Sequence, residues 1–68
     1  MIKDEKILVR TTSLLSFAGK VIESKINFNN NESLVLQTSD QSLILMIIPY
    51  SEVKEIFYMN GEVEKYND

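Results

Sequence analysis

The chain contains no cysteine and no histidine, one proline and two glycines in 68 residues. Without cysteine or histidine there is no disulfide, no structural zinc site of the usual kind, no imidazole for acid–base work and no thiol nucleophile. A chain of this length has room for one domain, and such a domain buries only about 60% of the surface its unfolded form exposes. With 44% hydrophobic residues and no covalent staple, association between copies is the expected source of extra burial.

A basic excess is also lacking. The formal net charge is −3, and it is unevenly spread. Residues 1–30 carry Lys3, Lys6, Arg10, Lys20 and Lys25 against Asp4, Glu5 and Glu23, a balance of +2, and the remainder sums to −5. Phosphate neutralisation supplies most of the affinity for a nucleic-acid backbone, so this composition gives such a partner little support. The longest apolar run, Leu43 to Ile48, is far shorter than the roughly 20 residues a membrane-spanning helix needs. No apolar run of signal-peptide length follows the charged start Met1–Lys6, and the protein is read as cytoplasmic. Its many Asn, Ile and Lys residues suggest an AT-rich coding genome, as in low-GC bacteria and their phages. Catalytic signals are missing too. Glu23, Glu32, Asp40, Glu52 and Glu55 show no spacing that pairs two carboxylates in a cleft, and no glycine-rich phosphate loop occurs. Nothing beside Ser13, Ser16 or Ser24 resembles an activating base. The expectation is a non-enzymatic binding protein that uses neither cofactor nor metal.

What the chain does have is short runs of β-branched and aliphatic residues separated by polar clusters, which reads as strand almost throughout. Strands are expected at Lys6–Ser13, at Phe17–Asn29 with a break or bulge inside, at Ser33–Thr38, at Ser42–Ile48 and at Glu55–Met59. Asn29-Asn30-Asn31-Glu32 and Ser39-Asp40-Gln41 are hairpin candidates, because their residues tolerate left-handed backbone or bond their own main chain. Gly19 either closes the first turn or marks a bend within strand two. Pro49 ends ladder pairing, and Val53 and Ile56 stand three apart, which places one helical or 3₁₀ turn between strands four and five. The fold class is therefore all-β, a small, strongly bent five-stranded SH3-like barrel over residues 1–60, followed by an acidic, loosely packed tail at 61–68.

Leu34 and Leu36 alternate with Val35 and Gln37, as in a strand with one buried face. Leu43, Leu45 and Ile47 alternate instead with Ile44, Met46 and Ile48, so strand four is apolar on both faces. Either the chain's own N-terminal residues or tail cover the second face, or another subunit does; contact between subunits is the preferred reading.

Two segments carry a family resemblance. Phe28-Asn29-Asn30-Asn31-Glu32-Ser33-Leu34-Val35-Leu36 resembles the first motif of the Sm-like family, the ring-forming small barrels that include the bacterial host-factor RNA chaperone. Asn29 stands at the family's Asp position and Ser33 at its Asn position. Ile48-Pro49-Tyr50-Ser51-Glu52-Val53-Lys54-Glu55-Ile56 keeps the apolar spacing of the second motif, with Pro49-Tyr50 in place of the usual Arg-Gly pair. The chaperone's Lys-His pair falls at Tyr50-Ser51. The resemblance implies a homo-oligomer, assembled as a ring through strand four, whose loops after strands two and four hold RNA or a small nucleotide.

The candidate ligand residues follow from both readings. Tyr50 can stack a base, worth about 1–3 kcal/mol; the plainer reading is a ring packed across the barrel end. Asn29, Asn30, Asn31, Ser33 and Ser51 offer hydrogen-bond groups, or simply build turns. Arg10, Lys20 and Lys25 form an anion site if they converge, and are ordinary surface charges if they do not. The competing function is a protein-interaction module, such as a small phage-type regulator or inhibitor, that binds a protein partner through the acidic half or the edge of strand four.

Overall fold

In the computed structural model, which describes residues 1–38 and 44–67, the chain is nearly all strand with one 3₁₀ turn and no α-helix among those residues. Six strands form a single antiparallel sheet: β1 (Lys6–Thr11), β2 (Ser16–Phe28), β3 (Asn31–Gln37), β4 (Leu45–Pro49), β5 (Val53–Tyr58) and β6 (Val63–Lys65), in the spatial order β4-β3-β2-β1-β5-β6. The all-β class is as expected, but the sheet has six strands and is not closed. The reason is β6, which occupies the outer edge of β5, so that β4 and β6 each lie at an end with one strand partner among the described residues.

The strong bend comes from β2. Its first part, Ser16–Lys20, pairs with β1, and its second, Lys20–Phe28, pairs with β3. Register shifts after Val21 and after Glu23 supply the irregularity expected inside this strand; extra residues on one strand kink it and increase its twist. The sheet thereby coils around one core of Ile7, Val9, Val21, Leu34, Leu36, Ile48, Val53 and Ile56, with Phe17, Met46, Tyr50 and Tyr58 packed against it. Val53 and Ile56, three apart, both point inward because the β1–β5 register shifts between Arg10 and Thr11.

Of the two readings of Gly19, turn closure is excluded. The first turn lies at Thr11–Leu15, where Leu14 takes the left-handed backbone (φ 67°) and the Thr11 hydroxyl accepts from Leu15 N at 3.2 Å. Gly19 sits inside β2 opposite Ile7, ahead of the register shifts. Its role is close approach: a Cβ there would fall 2.7 Å from the main-chain oxygen of Gln37.

The segment from Gly61, read from composition as a loose tail, is part of the sheet. Gly61 N donates to Tyr58 O at 3.0 Å and Gly61 has φ 92°, the left-handed position that lets a tight turn re-enter a strand. Val63–Lys65 then pairs with β5. The 3₁₀ turn at Tyr50–Glu52 is where Pro49 predicts it. The hairpin expected at Ser39-Asp40-Gln41, and Ser42 and Leu43 of the expected fourth strand, lie outside the described residues.

Candidate functional site

Two regions contain some of the residues the sequence singles out. The first is a recess of about 390 Å³ where the 3₁₀ turn, the second half of β2 and the C-terminal hairpin meet. Tyr50, Lys25 and Glu32 line it together with Ser24, Glu64, Tyr66 and Met1. Tyr50 is fixed there from several directions. Its hydroxyl donates to Ser24 O, its ring packs on the core, and its ring centroid lies 5.3 Å from that of Tyr66 at 33° between planes. Asn67 Nδ2 donates to Tyr50 O at 2.9 Å and to Val53 O at 2.7 Å, tying the chain end to the turn. Both readings of Tyr50 thus meet: the ring is half-buried, yet it borders an open recess.

Glu64 is the centre of a clasp. One of its oxygens accepts from Tyr58 Oη at 2.7 Å and from Tyr66 Oη at 2.8 Å. These bonds, from Tyr58 first and then Tyr66, hold its carboxyl below the usual carboxylate range, while burial and then the bond to Glu64 push both phenols up. Burial, followed by the nearby Glu64 and Glu32, raises Tyr50 as well. A carboxylate with a folded pKa below its unfolded value adds stability above the unfolded value, and that stability is lost as pH falls through the folded value. The C-terminal hairpin is therefore expected to loosen below the ordinary carboxylate range, with the Tyr66 ring resonances moving before core signals such as Leu34 change. Glu64→Gln should abolish the early step. A pH titration by NMR in which Tyr66 and Leu34 change together would show that the clasp has no separate transition.

The asparagine cluster is occupied by the β2–β3 turn. Asn29 (φ 52°) and Asn30 (φ 63°) form a two-residue connection between the paired residues Phe28 and Asn31, the left-handed geometry that favours Asn. Asn31 Nδ2 donates to Asn29 O at 3.1 Å, and the buried Ser33 Oγ donates to Asn31 O at 3.2 Å. Ser51 is exposed in the 3₁₀ turn.

The three cations do not converge. Lys25 lies 3.7 Å from Glu32, and Arg10 lies 3.5 Å from Glu55 on β5. Lys20 stands opposite Lys6 at the other end of the β1–β2 pairing from Arg10. With Glu32 and Glu64 beside its one lysine, the Tyr50 recess is not a cationic cradle.

The second region is β4. Met46 and Ile48 face the core, whereas Leu45 is 49% exposed and Ile47 37%. Val63–Lys65 pairs with β5, Asn67 reaches the turn after β4, and the N-terminal residues bond β2 through Asp4 N and Val21 O at 2.7 Å. Neither segment buries Leu45 or Ile47.

Among the described residues no group of three or more His, Cys, Asp or Glu side chains is placed to hold a metal ion, and no helix is long and apolar enough to cross a membrane. Comparison with protein-family models, with curated proteins and with solved structures returns no match for this chain.

Tyr66, Glu64 and Asn67 are the site residues that sequence reasoning missed. The signal that leads to them is Asn60-Gly61, a hairpin dipeptide that returns the chain along β5.

Proposed function

We propose that this protein is a non-enzymatic binding module of the Sm-like kind that works as an oligomer assembled through β4. The observation that carries the reading is the character of that edge. Leu45–Pro49 has no charged residue, has β3 as its one strand partner among the described residues, and leaves Leu45 and Ile47 exposed. Edge strands of monomeric proteins are normally blunted by charge, bulges or cover, because their free main-chain groups template further strands. A second copy adding along β4 bonds those groups and buries the apolar outer face. The same edge suits a strand from another protein, so a protein partner is compatible with this surface.

A second reading, a base or small nucleotide bound in the Tyr50 recess, is favoured by the Tyr50–Tyr66 ring pair and Lys25. Glu32 and Glu64 weigh against a phosphate there.

Native mass spectra of the untagged protein as purified, with the 260/280 nm absorbance ratio, test both. The expected result is an oligomer that Ile47→Lys converts to monomer with its far-UV β spectrum intact; Leu45→Lys serves if the first variant folds poorly. Extra mass absorbing at 260 nm supports the nucleotide reading. A wild-type monomer, or an oligomer indifferent to both lysines, overturns assembly through β4.

A further inference from the structure

The opposite region of the sheet, on the outer face of β2, β1 and β5, carries a feature that neither reading uses. Register places Ala18 opposite Leu8, Leu8 opposite Phe57 and Phe57 opposite Val63. Residues directly opposite on neighbouring strands share a face, so these four form an apolar row running across β2, β1, β5 and β6. Met59, 80% exposed, lies two residues along the chain from Phe57, on the side of the row where Lys6 stands.

The rows on either side differ. On one side Arg10 and Glu55 neutralise each other at 3.5 Å. On the other, Lys6 and Lys20 stand directly opposite one another, and neither has an acidic partner among the described residues. Like charges in this arrangement disfavour the fold, their Cβ atoms being about 4.5–5.5 Å apart. In a chain of net charge −3, this local pair of positive charges is the exception. Lys6, Lys20, Leu8, Ala18, Phe57 and Met59 together line a recess of about 450 Å³. That size lies in the usual range of small-molecule sites, roughly 300–1,000 Å³, which are apolar with a few polar groups that fix orientation.

We propose that this recess binds a small amphipathic anion, with an apolar body laid along Leu8, Ala18, Phe57 and Met59 and one anionic head held between the ammonium groups of Lys6 and Lys20. Charge on one side only gives the ligand its direction. The head relieves the repulsion between the lysines, and the body covers the apolar row. The site does not involve β4, so it stands or falls independently of the assembly reading.

Decanoate is the probe, titrated below its micellar concentration and followed by amide NMR, with decylammonium as the same body of opposite charge. Decanoate is expected to saturate shifts at Leu8, Ala18, Lys20, Phe57 and Met59, and decylammonium to bind at least tenfold more weakly. Lys6→Gln/Lys20→Gln should weaken decanoate at least tenfold while leaving the β spectrum and the oligomeric state unchanged; each single variant should give an intermediate loss. No saturable shifts at these residues, equal binding of the two probes, or full binding by the double variant would overturn the proposal.

Discussion

Leu34→Ala is expected to remove a large share of the protein's stability. Leu34 is fully buried in β3, opposite Ile48 of β4 and within the central cluster. Truncating such a leucine costs about 2–5 kcal/mol, the lost transfer energy plus the cavity left behind. Native domains hold about 0.05–0.15 kcal/mol per residue, which for 68 residues is roughly 3–10 kcal/mol in all. The variant should therefore unfold well below the wild-type midpoint in urea, with an unchanged slope. It should also populate unfolded chains at physiological temperature. An unfolding free energy within about 0.5 kcal/mol of wild type would mean that the sheet collapses onto the gap, and that the core is far more pliable than its burial implies.

Gly19→Ala is the second large effect, and its sign is the informative part. At an ordinary strand position this change stabilises by about 0.4–1 kcal/mol, because alanine has fewer unfolded conformations to lose. At Gly19 the new methyl would meet Gln37 O at 2.7 Å, Gln37 C at 3.2 Å and Thr38 Cα at 3.4 Å. All three are main-chain atoms of β3 and its end, so no rotamer change can relieve the contact and the strand itself has to move. Overpacking of this kind costs about 1–3 kcal/mol. In a domain of this size each kcal/mol lowers the thermal midpoint by about 4–8 °C. Differential scanning calorimetry of the two proteins decides it: a midpoint equal to or above wild type would show that Gln37 yields freely and that close packing of β2 on β3 is not why glycine is there.

Much of the fold was legible because local and global signals agreed. Leu34 and Leu36 alternate and are buried, although Val35 on the other face is buried as well; Pro49 ends β4 where a 3₁₀ turn begins, and Asn29-Asn30 form the β2–β3 turn. The irregularity inside β2 was legible as a strand too long to stay straight, although Gly19 marks a close approach and not the bulge. The first turn was not legible. It puts Leu14, a residue disfavoured there, into left-handed backbone, and what holds it is the Thr11 hydroxyl bonded to Ser13 and Leu15. β6 was hidden for a different reason. Glu62–Tyr66 has no apolar stripe, since its strand is held by pairing with β5 and by Glu64 gripping two phenols, not by burial. Composition reads such a segment as tail. The same blindness affected the site: Tyr50 stood out in a loop, but two of the partners that fix it, Tyr66 and Asn67, lie beyond the Asn60-Gly61 turn in a segment without an apolar stripe. Arg10, Lys20 and Lys25 were candidates by count, and pairing separates them, because register decides which neighbour each charge meets.

The position of β1 in the sheet has a consequence for how the protein is made. β1 is flanked by β2, which follows it at once, and by β5, whose Glu55 pairs with Arg10. During synthesis, β1 keeps one side bare until β5 has emerged. A meander of β1, β2 and β3 can form early, but the interior it encloses still lacks Val53 and Ile56. Completion therefore waits on translation, and any message truncated before β5 yields a product with an open central seam.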